Sequence, residues 1–184
     1  LDTFANLIQL INNNIYISLW EVNLIIDNIE KDNISNIPYK ALLYSNNRGM
    51  LILGVILSRL HHKEEFKDDI KKYIASDDAN VKEEAILTFS TFAEDHTDFV
   101  CLRNTYNNTT ERGKLCIIET VSKSNDTDYT IEFLVWVAIN EPIKFKTEAL
   151  RNLLLIDMIK VASLKKSMDP LVRMACNEVL DLNI

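Results

Sequence analysis

The densest group of side chains able to coordinate a metal is the run His61-His62-Lys63-Glu64-Glu65. Residues three or four positions apart share a helix face, so either histidine could lie beside Glu65. A protein metal site needs about three ligands on that face, and a charged run at a helix end is usually a solvated corner. We therefore expect a surface corner here and keep a metal site as the alternative.

Other candidate catalytic side chains are isolated in the sequence. His96 lies in a predicted connection, and Tyr39 has no sequence neighbour that would activate it. The sequence contains no Gly-rich phosphate loop, no G-x-S-x-G and no H-E-x-x-H. Cys101, Cys116 and Cys176 have no C-x-x-C spacing, which argues against a disulfide framework and a thiolate metal site. We expect a protein that is not an enzyme and needs no cofactor and no metal.

The helices that would carry these candidate side chains follow a sequence repeat. Apolar residues four apart, as in Val81, Ala85 and Phe89, lie along one helix face. The same pattern recurs every 32 residues, with a last step of 27, and we call these apolar residues the hub positions. The five sets of hub positions are Gly49, Leu53, Leu57; Val81, Ala85, Phe89; Gly113, Ile117, Val121; Phe145, Ala149, Leu153; and Val172, Cys176, Leu180.

A second amphipathic segment precedes each set of hub positions, so the sequence predicts five helical hairpins. These first helices are expected at residues 38–45, 64–75, 97–106, 129–140 and 157–166. Asp78, Thr110 and Asp169 offer N-cap oxygens, and Pro170 suits a first helical turn. The segment around Trp136 is apolar almost all round, which predicts a buried central helix.

The hub helices resemble a known repeat family. Asp169-Pro170-Leu171-Val172-Arg173-Met174-Ala175-Cys176 resembles the HEAT-repeat signature, in which Asp and Pro precede Val-Arg and a small residue follows one turn later. The segment Asp78-Ala79-Asn80-Val81-Lys82-Glu83-Glu84-Ala85 is a diluted second copy. The other copies depend on spacing, and Gly49 and Gly113 replace the branched residue. The period is closest to the short HEAT-like type.

This resemblance, which covers residues 38–184, implies an all-α protein whose hairpins form a right-handed α-α superhelix, a HEAT-like solenoid of about five hairpins. We expect one HEAT-like repeat domain over residues 1–184. Residues 1–37 would form atypical N-terminal helices, near residues 4–11 and 18–29. An irregular helical bundle is the alternative architecture.

Cations follow the first hub position in four of the five copies. These are Lys82, Lys114, Lys146 and Arg173, whereas the earliest copy has Met50. Stacked hairpins would align them on the concave face, where they could receive an acidic segment of a partner protein. The resemblance favours another role, because the HEAT signature pairs this cation with an Asp of the neighbouring repeat, and Asp78 and Asp169 would be the partners. The candidate partner-binding residues are Met50, Lys82, Lys114, Lys146 and Arg173, with Arg59, Lys123, Arg151, Asn152 and Asn177 nearby.

The net charge of -7 and the pI near 5.0 disfavour a nucleic-acid partner, although residues 142–184 hold seven basic and five acidic side chains. No apolar run approaches the roughly 20 residues of a membrane span. Because the sequence begins with Leu1, we expect a piece of a longer chain, cytoplasmic or attached to an upstream membrane anchor. The predicted function is a non-catalytic protein–protein interaction scaffold. The alternative is a HEAT-like enzyme or ligand-binding protein, of metal-dependent or lyase type, using the His61–Glu65 run.

Overall fold

The computed structural model describes residues 3–32 and 34–181, and these residues form twelve α-helices and no strand. The predicted all-α fold is therefore confirmed. In chain order the helices are α1 Thr3–Asn12, α2 Leu19–Lys31, α3 Tyr39–Leu43, α4 Arg48–Leu60, α5 Lys67–Tyr73, α6 Ala79–Phe92, α7 His96–Thr105, α8 Glu111–Val121, α9 Thr127–Asn140, α10 Ile143–Ile156, α11 Met158–Leu164 and α12 Pro170–Asp181. Short 3-10 turns cover Glu64–Phe66 and Tyr106–Asn108.

The chain divides into two compact units, Leu1–Phe92 and Ala93–Ile184, which we call unit 1 and unit 2. In unit 1, α4 packs against α2, α3 and α6, and α5 packs against α6. Leu53 and Phe89 are completely buried. Helices α3 and α4 approach closely at Gly54, because a Cβ there would lie 2.7 Å from the Cβ of Leu42.

Unit 2 is organised around α10, which packs against α8, α9, α11 and α12. Ala149, Leu150 and Leu153 of this helix are completely buried. On the neighbouring helices, Ile117 and Cys176 are also buried. In this unit α8, α10 and α12, which carry three of the predicted sets of hub positions, therefore pack in series.

The predicted hub positions lie on α4, α6, α8, α10 and α12, and all but one are buried. The exception is Leu180, which is half-buried. The helix starts agree with the predicted caps: Asp78 accepts from the backbone N–H of Val81 at 3.1 Å, and Asp169 accepts from that of Leu171 at 2.8 Å. Apolar spacing and N-cap chemistry thus fix the positions of these helices.

Helix α9 differs from its prediction. Trp136 is 38% exposed and Ile139 is 46% exposed, so α9 is not the buried central helix that its composition indicated. Its core face consists of Phe133, Leu134 and Val137, which are buried, and an apolar outer face remains accessible. Within residues 3–32 and 34–181, no helix is both long enough and apolar enough to cross a bilayer.

Candidate functional site

The His61–Glu65 run does not form a helical ligand set. Helix α4 ends at Leu60, and His62 has a φ of 51°, in the left-handed region. The backbone N–H of Lys63 then donates to the carbonyl of Ser58 at 2.8 Å, which is the closing bond of a Schellman motif. Because the helix stops here, the expected spacing of His61 and Glu65 on one face is not realised. Among the described residues, no group of three or more His, Cys, Asp or Glu side chains could hold a metal.

His61 instead forms the centre of a hydrogen-bonded trio with Tyr39 and Glu30. The hydroxyl of Tyr39 lies 2.5 Å from Nδ1 of His61, and Nε2 of His61 lies 2.6 Å from Oε1 of Glu30. Since a carboxylate only accepts hydrogen bonds, neutral His61 carries its proton on Nε2 and accepts the Tyr39 hydroxyl on Nδ1. The three residues come from the end of α2, the start of α3 and the end of α4.

Tyr39 is held firmly within this trio. Its side chain is buried, and its ring stacks on that of Phe66 with centroids 5.6 Å apart. Burial raises the pKa of Tyr39 to about 12, and the negative charges of Glu65 and Glu30 act in the same direction. The phenol therefore stays protonated near neutral pH and acts as a hydrogen-bonding group.

The trio lines a cavity of about 390 Å³ in unit 1. Lys63 also lines it, with Nζ 5.5 Å from the centre of the Tyr39 ring. Ile34 supplies accessible apolar wall, and the completely buried Ile29 lies beside it in the lining. Sequence reasoning singled out His61 but missed Tyr39 and Glu30, because contacts across 22 and 31 residues leave no local signal.

Most cations of the predicted column form hydrogen bonds or ion pairs within their own unit. Lys146 is 3% exposed and donates to the carbonyls of Ala138 at 3.1 Å and Ile139 at 2.5 Å, so it caps the end of α9. Its Nζ also lies 3.6 Å from Asp169, which is the pairing that the HEAT resemblance implies. Lys114 pairs with Glu141 at 3.0 Å.

Neither Arg173 nor Lys82 forms an ion pair with the Asp that the HEAT resemblance implies, among the contacts of the described residues. Arg173 donates to the carbonyls of Ser167 and Met168 at 2.8 and 2.9 Å. Asp78, expected to pair with a cation of the column, instead pairs with Arg48 at 2.7 Å. Lys82 is partly exposed.

Two of the ten candidate contact residues offer no surface, because Met50 is 1% exposed and Lys146 is buried. Their burial follows from the inward orientation of α4 and from the carbonyls that surround the Lys146 ammonium. Four others lie in contacts within their unit: Arg59 with Glu84, Lys123 with Glu119, Arg151 with Glu178, and Asn152 with Ser122. Asn177 is exposed.

Unit 2 exposes large apolar side chains that sequence reasoning did not single out. Leu155 is 86% exposed, Ile159 79% and Met168 93%. We call the whole group the unit 2 apolar surface, and its members are Leu155, Met158, Ile159, Met168, Leu171 and Met174. A signal was available, since three of the four methionines fall between positions 158 and 174.

The fold and these features define an all-helical protein with regularly spaced buried helix faces. No protein-family model matches the sequence, and neither the curated proteins nor the solved structures compared with it give a significant match.

Proposed function

We infer that this chain is a non-catalytic protein-binding module, and that unit 2 binds an acidic amphipathic helix of a partner protein through the unit 2 apolar surface. The observation that carries this proposal is the exposure of six large apolar side chains, five on the last three helices and Met168 in the connection between α11 and α12. We propose that these side chains, all within residues 155–174, form one patch, since a contiguous exposed apolar patch is typical of interaction sites. Burying one Leu, Ile or Met side chain contributes about 1.5–3 kcal/mol.

The composition of the surface favours a helical partner. Methionine is flexible and polarizable, so Met158, Met168 and Met174 can adapt to the side chains of an amphipathic helix. Leu171 and Met174 are three residues apart on α12 and therefore lie on one side of it. A partner helix would present apolar residues at the matching spacing of three and four.

Charge favours an acidic partner. Lys160, Lys165 and Lys166 are exposed on or directly after α11. Acidic side chains on the polar face of a partner helix would complement these cations, accelerating encounter and disfavouring basic competitors. This proposal keeps the acidic partner expected from the sequence but moves its contact surface from the cation column to the outer helices.

The HEAT-like solenoid is the architecture that we propose behind this surface. Its support is the serial packing of α8, α10 and α12 in unit 2, and of α4 against α6 in unit 1, at the spacing of the repeat. In such an arrangement each hairpin needs only its neighbours for stability, so outward faces are free to bind.

A binding measurement with matched peptides tests the function. One fluorescent amphipathic helix carries Leu along one face and Glu with Gln along the other; a second has the same Leu face with Lys in place of Glu. We expect the acidic peptide to bind with a micromolar dissociation constant and the basic peptide at least about tenfold more weakly. Equal affinity for the two peptides, or no binding of either, contradicts the proposal.

Substitutions in the two units test where the acidic peptide binds. The double substitution Leu155→Ser with Ile159→Ser removes two exposed side chains and should weaken the acidic peptide by at least about tenfold. Trp20→Ser is the matched control in unit 1, because Trp20 is 71% exposed, and it should leave the affinity unchanged. The unit 2 site is rejected if the control substitution weakens binding as much as the double variant does.

A further inference from the structure

We propose that the cavity of unit 1 beside His61 binds a free α-amino acid with an aliphatic side chain. This inference goes beyond protein binding, concerns the other unit and is independent of the unit 2 apolar surface. The cavity contains one carboxylate, Glu30, and one ammonium group, Lys63, next to apolar wall. Opposite charges beside a partly exposed apolar side chain complement a zwitterion that itself carries an apolar side chain.

The Glu30 carboxylate is oriented to accept hydrogen bonds from the ammonium group of the ligand. His61 holds Oε1 of this carboxylate at 2.6 Å, which orients the group and leaves Oε2 as an acceptor. Carboxylate–ammonium hydrogen bonds are charge-assisted and about twice as strong as neutral ones. When His61 is neutral with its proton on Nε2, the Tyr39 hydroxyl donates a hydrogen bond to Nδ1, and its oxygen is then available to accept one from a ligand ammonium group.

Lys63 is placed to receive the ligand carboxylate. Its Nζ lies 3.8 Å from Oε1 of Glu65, beyond hydrogen-bonding distance, and near the Tyr39 ring. The ammonium group is therefore held at the cavity and can still donate hydrogen bonds to a bound anion. A phosphate dianion fits less well, because Glu30 and Glu65 would repel its second charge.

The size and walls of the cavity agree with a small ligand. A volume of about 390 Å³ lies at the lower end of the range of roughly 300–1,000 Å³ for small-molecule sites. Ile34, which is partly exposed, would contact the aliphatic side chain of the amino acid. The hydrogen-bonded trio restrains Tyr39 and Glu30 before the ligand arrives, which reduces the entropy lost on binding.

Isothermal titration calorimetry of the whole chain with three isosteric probes tests the proposal. L-leucine carries both charges, 3-methylbutylamine lacks the carboxylate, and 4-methylpentanoate lacks the ammonium group. We expect leucine to bind, and each single-charge analogue to bind at least about tenfold more weakly. No heat with leucine at millimolar concentration, or equal binding of all three probes, overturns the proposal.

Two substitutions test whether Glu30 binds the ammonium group of the ligand and Lys63 its carboxylate. Glu30→Gln should weaken leucine binding at least about tenfold without weakening the binding of 4-methylpentanoate, whereas Lys63→Met should weaken leucine binding without weakening that of 3-methylbutylamine. The control is the exposed pair Glu119–Lys123 of unit 2, in which Glu119→Gln and Lys123→Met should leave leucine binding unchanged.

Thermal unfolding of each variant verifies that it is folded before titration. If leucine affinity does not change in folded Glu30→Gln and Lys63→Met, the assignment is wrong. The double variant of Leu155 and Ile159 should still bind leucine, so failure of the peptide experiment and failure of the amino-acid experiment can be told apart.

Discussion

The two units share a pattern of buried hub positions but differ on their outer surfaces. Unit 1 places a polar trio of Glu30, Tyr39 and His61 around a cavity and exposes aromatic side chains such as Trp20, whereas unit 2 exposes aliphatic side chains such as Leu155 and Ile159. Hub residues are constrained because each must fit against a neighbouring helix. Outward residues carry no such constraint, so similar helical scaffolds can present a cavity lined by polar groups in one unit and exposed aliphatic side chains in the other.

The largest effect should come from hub residues, and it should be absent for a neighbour on the outer surface. Leu53→Ala in unit 1 and Leu153→Ala in unit 2 remove completely buried side chains, and each should lower the free energy of unfolding by about 2–5 kcal/mol. Leu155→Ala, only two residues from Leu153, removes an exposed side chain and should change it by less than about 0.5 kcal/mol. Urea unfolding of the three variants measures this. A cost for Leu155→Ala similar to that for Leu153→Ala would contradict the assignment of Leu155 to the surface.

The hub positions were predictable from sequence because helix periodicity and burial are local properties. Val81, Ala85 and Phe89 are four residues apart, and core packing requires that they face inward together. The cap at Asp169 was predictable for the same reason, since its acceptor serves an N–H two residues away.

The two sites were not predictable in the same way. The trio joins residues on three helices, and their contacts exist only once α2, α3 and α4 have packed. The exposure of Trp136 and of the unit 2 apolar surface also depends on which neighbours a helix has, which apolar composition alone does not specify. The burial of Lys146 was not predictable either, because its ammonium group donates to carbonyls at the end of α9, a different helix.

A second prediction compares cations at the same repeat position in the two units. Lys146→Met in unit 2 leaves the carbonyls at the end of α9 without their donor and should cost about 1.5–3 kcal/mol. Lys82→Met in unit 1 changes a partly exposed side chain and should cost less than about 0.5 kcal/mol. Chemical unfolding measures both. Equal costs would mean that the two positions are not distinguished by their surroundings.

The glycine hub positions provide a third comparison. A Cβ at Gly49 would lie 2.1 Å from the backbone oxygen of Ile17, so Gly49→Ala should cost about 1–3 kcal/mol. At Gly113 the Cβ would lie 2.2 Å from Oγ1 of Thr109, a side-chain atom and not a backbone atom. Gly113→Ala should therefore cost less than Gly49→Ala, because a side chain is displaced more easily than a backbone carbonyl. The higher helix propensity of Ala offsets up to about 1 kcal/mol in both variants. Melting temperatures of the two variants decide the order, and a larger loss at Gly113 would contradict this difference between the units.

The smallest effect concerns pH. The backbone N–H of Leu171 lowers the pKa of Asp169 below its ordinary value, with a further contribution from the charge of Lys146. A lowered folded-state pKa contributes stability that is present above the unfolded-state value of about 3.9 and is lost as the pH falls through the folded-state value. Asp169→Asn retains a capping oxygen but does not titrate, so its stability should fall less than that of the wild type on acidification below about pH 4. Parallel acid-unfolding curves for the two proteins would rule out this role.

Hydrogen–deuterium exchange with and without the acidic peptide tests the central claim most directly, since it reports where the peptide binds. Binding to the unit 2 apolar surface predicts that the peptide slows exchange in α11 and at the start of α12, and leaves residues 1–92 unchanged. Slower exchange in α2 to α4 instead, or an equal change across both units, would contradict the account.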